Sequence, residues 1–148
     1  MPKRPVRSIL HRRRLGPNPV SVRPDETAAE AAQRMAENRC GSVLVMEDER
    51  LLGIFTERDL LVRVVAAGLE SARTKMRDIM STDLETIGAE EPVAEAVRRM
   101  DEGGFRHLPV LDGDRVLGVV SARDIPVLVI GKMADELDRR HRLAERAW

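Results

Sequence analysis

The chain has 148 residues, 43% hydrophobic and 34% charged, which reads as a globular protein long enough to bury a core. Its 25 basic and 25 acidic side chains cancel, and only 2% of residues are aromatic with no Tyr, which argues against a nucleic-acid binder built on net charge or base stacking. One cysteine, Cys40, excludes an intrachain disulfide framework or a cysteine metal cluster, and no apolar run is long enough for a membrane span, so a reducing cytoplasm is the expected compartment.

Residues 1–18 read as a basic arm. Lys3, Arg4, Arg7, Arg12, Arg13 and Arg14 are broken by Pro2 and Pro5, and no apolar stretch follows to make a secretory signal. A solvated or dimer-wrapping arm and a contact for an anionic partner both fit. Residues 19–69 then form a first structural unit, 70–83 a linker, 84–131 a second unit and 132–148 a charged helical tail that ends on Trp148.

The two units repeat each other. Glu26, Ala29, Glu30, Ala31, Arg34 and Met35 recur as Glu91, Ala94, Glu95, Ala96, Arg99 and Met100. Gly53-Ile54-Phe55-Thr56-Glu57-Arg58-Asp59 recurs as Gly118-Val119-Val120-Ser121-Ala122-Arg123-Asp124, at the same offset of 65 positions. A further echo, Val6-Arg7-Ser8-Ile9-Leu10 against Met76-Arg77-Asp78-Ile79-Met80, runs at an offset of 70, so the first copy carries five extra residues between Leu10 and Val20.

Each copy predicts the same elements. A short extended piece comes first, at Val20 to Val22 and Leu84 to Ile87. A helix follows, with apolar Ala28, Ala31, Ala32 and Met35 on one face, then Val93, Ala96, Val97 and Met100 in the second copy. Thr27 and Glu30 have capping-box spacing. Two apolar runs around Glu47-Asp48-Glu49-Arg50, and around Asp112-Gly113-Asp114, predict hairpins. A second helix is expected to start near Glu57 and stop at Gly68, and its counterpart carries Pro126 early, where a missing N–H does least harm. The expected fold is α+β, an α/β sandwich of tandem βαββα repeats packed with pseudo-two-fold symmetry.

The chemistry concentrates where the second hairpin strand becomes a helix. Gly53 and Gly118 permit close backbone approach. Thr56 and Ser121 can cap the helix or donate to a phosphate oxygen at its positive end. Asp59 and Asp124 can accept from the vicinal hydroxyls of a ribose, and Arg58 and Arg123 supply charge for phosphate. The same residues also read as an ordinary helix N-terminus with acids in its first turn. Arg106 and His107 follow a glycine pair in the second copy, where the first has Gly41-Ser42. They suggest phosphate binding on one side only, against a solvated Arg and a His satisfied by backbone. Nothing accompanies His107 at metal-ligand spacing.

Glycine, hydroxyl and aspartate in this order, twice, after Ser42-Val43-Leu44-Val45 and His107-Leu108-Pro109-Val110, resemble the ribose-phosphate motif of CBS-domain pairs, also called Bateman modules. The resemblance covers about Val6 to Ile130. It implies clefts for adenine nucleotides, with ribose on Asp59 and Asp124 and phosphate or ribose near Thr56 and Ser121. Adenine would lie between apolar walls at Ile54 and Val119, beside the strands of Val22 and Ile87. A stand-alone sensor of AMP, ADP, ATP or NAD(H) follows, with no catalytic residue and no required cofactor or metal, acting in trans on a regulated protein. AMP is favoured at Asp59, because Glu57 would repel further phosphates where Ala122 would not. A homodimer through Leu60, Leu61, Val64 and Val65 is expected. The alternative is a ligand-free dimerisation scaffold whose motif residues only cap helices; a nucleic-acid binder ranks below both.

Overall fold

The computed structural model describes residues 4–10 and 19–125. The arm residues Lys3, Arg12, Arg13 and Arg14, the helix of Pro126 and the tail to Trp148 lie outside them. Within the described residues, β1 (Ser21–Val22), α1 (Ala28–Asn38), β2 (Ser42–Glu47) and β3 (Arg50–Thr56) lead into a one-turn helix α2 (Glu57–Asp59). This turn widens into a π-helical stretch, Leu60–Val65. A short helix α3 (Met76–Ile79) precedes the second copy: β4 (Ile87–Gly88), α4 (Val93–Gly103), β5 (His107–Asp112), β6 (Arg115–Ser121) and a 3-10 turn over Ala122–Asp124.

Each copy makes a three-stranded sheet in chain order, its first strand parallel to the second and the second antiparallel to the third. The turns suit their residues. Asp48 and Glu49 take φ of 51° and 64°, and Gly113 takes 61°, as tight hairpins require. Both hairpins slip register at the matching place, after Val45 and after Val110. The repeated acid–base pairs are structural. Arg34 donates to the Ser21 carbonyl and pairs with Glu26, and Arg99 donates to the Thr86 carbonyl and pairs with Glu91. Each guanidinium thus ties a first strand to its helix.

The sheets are buried on both faces, which is why β2 reads as an unbroken apolar run. Val43, Val45 and Phe55 face a core with Ala28, Ala31 and Met35. Leu44 points the other way, onto Val116 and Val119 of the second sheet. Leu108, Val110 and Val120 face the second copy's own core, with Ile87, Val93 and Met100.

The caps of the two cores are crossed. The turn Val6–Ile9 packs on the second core and α3 packs on the first. The hydrogen bonds repeat across the two places: Val6 N–H to the Glu91 carbonyl matches Met76 N–H to Glu26, and Val93 N–H to Arg4 matches Ala28 N–H to Thr74. Each cap therefore precedes one copy in the sequence and serves the core of the other.

The π-helical stretch turns Leu61, Val62 and Val65 to solvent, each more than half exposed, and Leu69 is 48% exposed beyond it. Val64 is instead 1% exposed and Leu60 packs against the first core, so these two do not belong to a free surface. Gly68 takes a φ of 74° and its N–H bonds the Val65 carbonyl, ending the helical segment where expected.

Candidate functional site

Two clefts lie between the copies, each built on one copy's strand-to-helix turn and closed by the other copy's helix-to-strand turn. In the first, Ile54, Thr56, Arg58 and Asp59 face Gly104 to His107 and Pro109. In the second, Val119, Ser121, Arg123 and Asp124 face Asn38 to Ser42. Arg106 and His107 line both. The clefts differ in size. That of Asp59 encloses about 650 Å³ and that of Asp124 about 100 Å³. Only the first falls within the usual range of small-molecule sites, about 300–1,000 Å³.

The local turn fixes each aspartate. Asp59 Oδ2 accepts from the Thr56 N–H at 3.0 Å, and the Asp59 N–H donates to Thr56 Oγ1 at 3.1 Å. Asp124 Oδ2 accepts from the Ser121 N–H at 2.9 Å and from Ser121 Oγ at 3.1 Å. The helix-capping role is therefore real in both copies. It does not exhaust the carboxylate, which has about four acceptor positions. Asp59 Oδ1 stands 3.7 Å from Arg63 Nε, and the side chain is 18% exposed.

Gly53 answers to the close approach foreseen for it. A Cβ there would lie 2.9 Å from the Ser81 carbonyl oxygen. Ser81 and Ile54 exchange two backbone hydrogen bonds at that point, which bring residues 82–85 to the wall of the Asp59 cleft.

Of the expected apolar walls, Ile54 and Val119 line the clefts. The side chains of Val22 and Ile87, expected on the strands beside the adenine, are 2% and 1% exposed, each inside a copy's own core. Val20 and Leu84, just ahead of the two strands, line the clefts, and Val20 also packs against the first core. Arg63 of the π-helical stretch was not legible as a site residue. Its Nη1 donates to the Ile79 carbonyl at 2.8 Å, which anchors it beside Asp59 in the larger cleft. Asp83 and Glu85 line the same cleft and make it more acidic than its counterpart, whose far wall offers Arg39.

His107 sits between the clefts. Burial holds its imidazole below the ordinary range, with Arg106 and Arg123 acting the same way and Glu57 and Asp124 opposing them. A histidine kept neutral in the fold takes up its proton more readily when unfolded. Its contribution to stability is thus present above the unfolded pKa, about 6.5, and is lost as pH falls below it. Urea midpoints should decline from pH 7.5 to 5.5, and His107→Gln should flatten that decline. An identical decline in the variant would remove His107 as its origin.

No group of three His, Cys, Asp or Glu side chains suited to a metal ion occurs among the described residues, and none of their helices is long and apolar enough to cross a membrane.

Comparison with known proteins bears on the same region. The family model described as CBS domain matches twice, over residues 6–66 and 76–126. The CBS domain-containing protein CBSX3, mitochondrial, of Arabidopsis thaliana is 33% identical over 120 residues, covering 78% of this chain and 58% of that one. The chain spans little more than half the length of the first curated relatives it matches. Among solved structures, the CBS domain protein PAE2072 from Pyrobaculum aerophilum, complexed with AMP, superposes with a TM-score of 0.74 at 26% identity. That match covers 88% of this chain and 98% of the other. The CBS domain pair of protein MJ0100, in complex with 5′-methylthioadenosine and S-adenosyl-L-methionine, gives 0.74 at 25%, covering 88% and 99%.

Proposed function

The chain belongs to the CBS-domain family, and from that premise we propose that it is a regulatory, non-catalytic module that binds adenine nucleotides between its two copies and signals in trans. The carrying observation is the position of Asp59: an anchored carboxylate beside a cleft of about 650 Å³. The pose follows from the chemistry of the lining. Ribose hydroxyls donate to Asp59, adenine lies against Ile54, and phosphate meets Arg58 or Arg106. The AMP bound to PAE2072 and the adenosyl ligands bound to MJ0100 support a ligand of this class. Glu57, Asp83 and Glu85 on the cleft wall favour AMP over ADP, ATP or NAD(H) at this site, since each added phosphate meets more like charge. The Asp124 cleft is open to longer phosphates only if its side chains part, given its size. Calorimetry with AMP, ADP, ATP, NADH and S-adenosylmethionine tests the reading. Heats from AMP with a stoichiometry of at least one per chain are expected; no binding by any of the five would overturn it.

A ligand-free dimerisation scaffold is the second reading, favoured by the satisfied caps at Asp59 and Asp124. Both readings take the exposed stripe Leu61, Val62, Val65 and Leu69 as a homodimer face. Light scattering should give twice 16.6 kDa at micromolar concentration, and Leu61→Lys with Val65→Lys should give the monomer. A wild-type chain that stays at 16.6 kDa would contradict the dimer.

A further inference from the structure

The two clefts meet at one ion pair. Glu57 lines both, whereas Arg123 lines the Asp124 cleft alone of the two. Arg123 Nη2 stands 3.3 Å from Glu57 Oε1. The space around this carboxylate is tight: a Cβ on Gly41 would lie 3.1 Å from Glu57 Oε1 and 3.3 Å from His107 Nε2. The repeat fails at this point. Ala122 stands where symmetry would put a second Glu57, and Arg106 stands where it would put a second Gly41. The shared carboxylate is thus one-sided, and its counter-ion belongs to the neighbouring cleft.

Resting on the reading that both clefts take an adenine nucleotide, we propose that Arg123 is a counter-ion shared between Glu57 and the phosphate of a ligand in the Asp124 cleft, so that anions in the two clefts oppose each other through Glu57. While the Asp124 cleft is free, Arg123 neutralises Glu57. A phosphate there draws the guanidinium to itself, because a phosphate binds Arg in the same bidentate way as a carboxylate and carries more charge. Glu57 then faces the Asp59 cleft uncompensated and repels a phosphate in it. A neutral nucleoside leaves the ion pair intact, so the clefts fill independently. Glu57 and Arg123 are about 60% exposed, at 60% and 62%, and solvent screens such a pair. The coupling is therefore small, about two- to fivefold, and the same whichever cleft fills first.

A thermodynamic cycle by calorimetry measures it. Asp124→Asn isolates the Asp59 cleft and Asp59→Asn the Asp124 cleft; wild type gives the product of both association constants. With AMP, the wild-type product should fall about two- to fivefold below the product of the two isolated constants. With adenosine the two should agree. Repeating the AMP cycle in Glu57→Ala should abolish the shortfall. A shortfall that survives Glu57→Ala, that appears equally with adenosine, or that is absent from wild type overturns the coupling while leaving nucleotide binding in place, as does a wild-type chain that takes only one AMP. If neither AMP nor adenosine binds wild type, the adenine reading itself fails.

Discussion

Asp59→Asn is expected to weaken adenine-nucleotide binding by roughly ten- to 150-fold, with Asp124→Asn doing the same at its own cleft. The magnitude follows from the bond lost. A hydrogen bond to a charged acceptor contributes about 1.5–3 kcal/mol, at about 1.4 kcal/mol per tenfold. Asn is the informative replacement because the aspartates have a second duty. Asp59 accepts the Thr56 N–H, and Asp124 accepts from Ser121. Asn keeps an acceptor for that cap, so the fold survives while the charge toward ribose is gone. Alanine would remove both at once. Arg106→Ala should weaken AMP and ATP more than adenosine, by an amount that shrinks with added salt, because its partner is phosphate. Aspartate variants that bind every nucleotide as wild type does would leave capping as the only role of Asp59 and Asp124.

The repeat, the hairpins, the helix faces and the motif turns were legible because each rests on local chemistry: a capping hydroxyl, an alternating strand, a glycine at a close approach. Four things were not. The crossing of the caps left no mark in the sequence, since which copy a short turn packs on depends on contacts distant in sequence. Val22 and Ile87 were placed on the cleft because strand ends supply both core and cleft residues, and a two-residue strand is too short for its alternation to show which faces where. Arg63 reads as a solvated residue on a helix, and only the π-helical widening and the Ile79 carbonyl place it beside Asp59. The departures from symmetry, Ala122 for Glu57 and Gly41 for Arg106, were legible as differences, but the ion pair of Glu57 with Arg123 was not.

Separating the chain between Lys75 and Met76 is expected to unfold both halves, and the crossed caps are the reason. The fragment 1–75 keeps the turn Val6–Ile9, whose core partners Val93 and Met100 are gone. It loses Met76 and Ile79, which are 0% and 6% exposed in its own core. Full burial of a Met or Ile side chain stabilises by about 1.5–3 kcal/mol, so these two account for roughly 3–6 kcal/mol. A small domain has only about 5–15 kcal/mol in total. Fragment 76–148 is the mirror case, deprived of Val6, Ile9 and Leu10. Both also expose the face between the sheets, where Leu44 meets Val116 and Val119. Circular dichroism with urea titration should therefore show no cooperative transition for either fragment alone. Mixing them at equal concentration should restore one, because every contact the cut removed can re-form between chains. A fragment 19–82 carries α3 beside the core it caps, and it should hold more structure than 1–75 despite being shorter. Two independently cooperative, monomeric halves would mean that the crossed caps contribute little, and the packing account of the fold would have to be withdrawn.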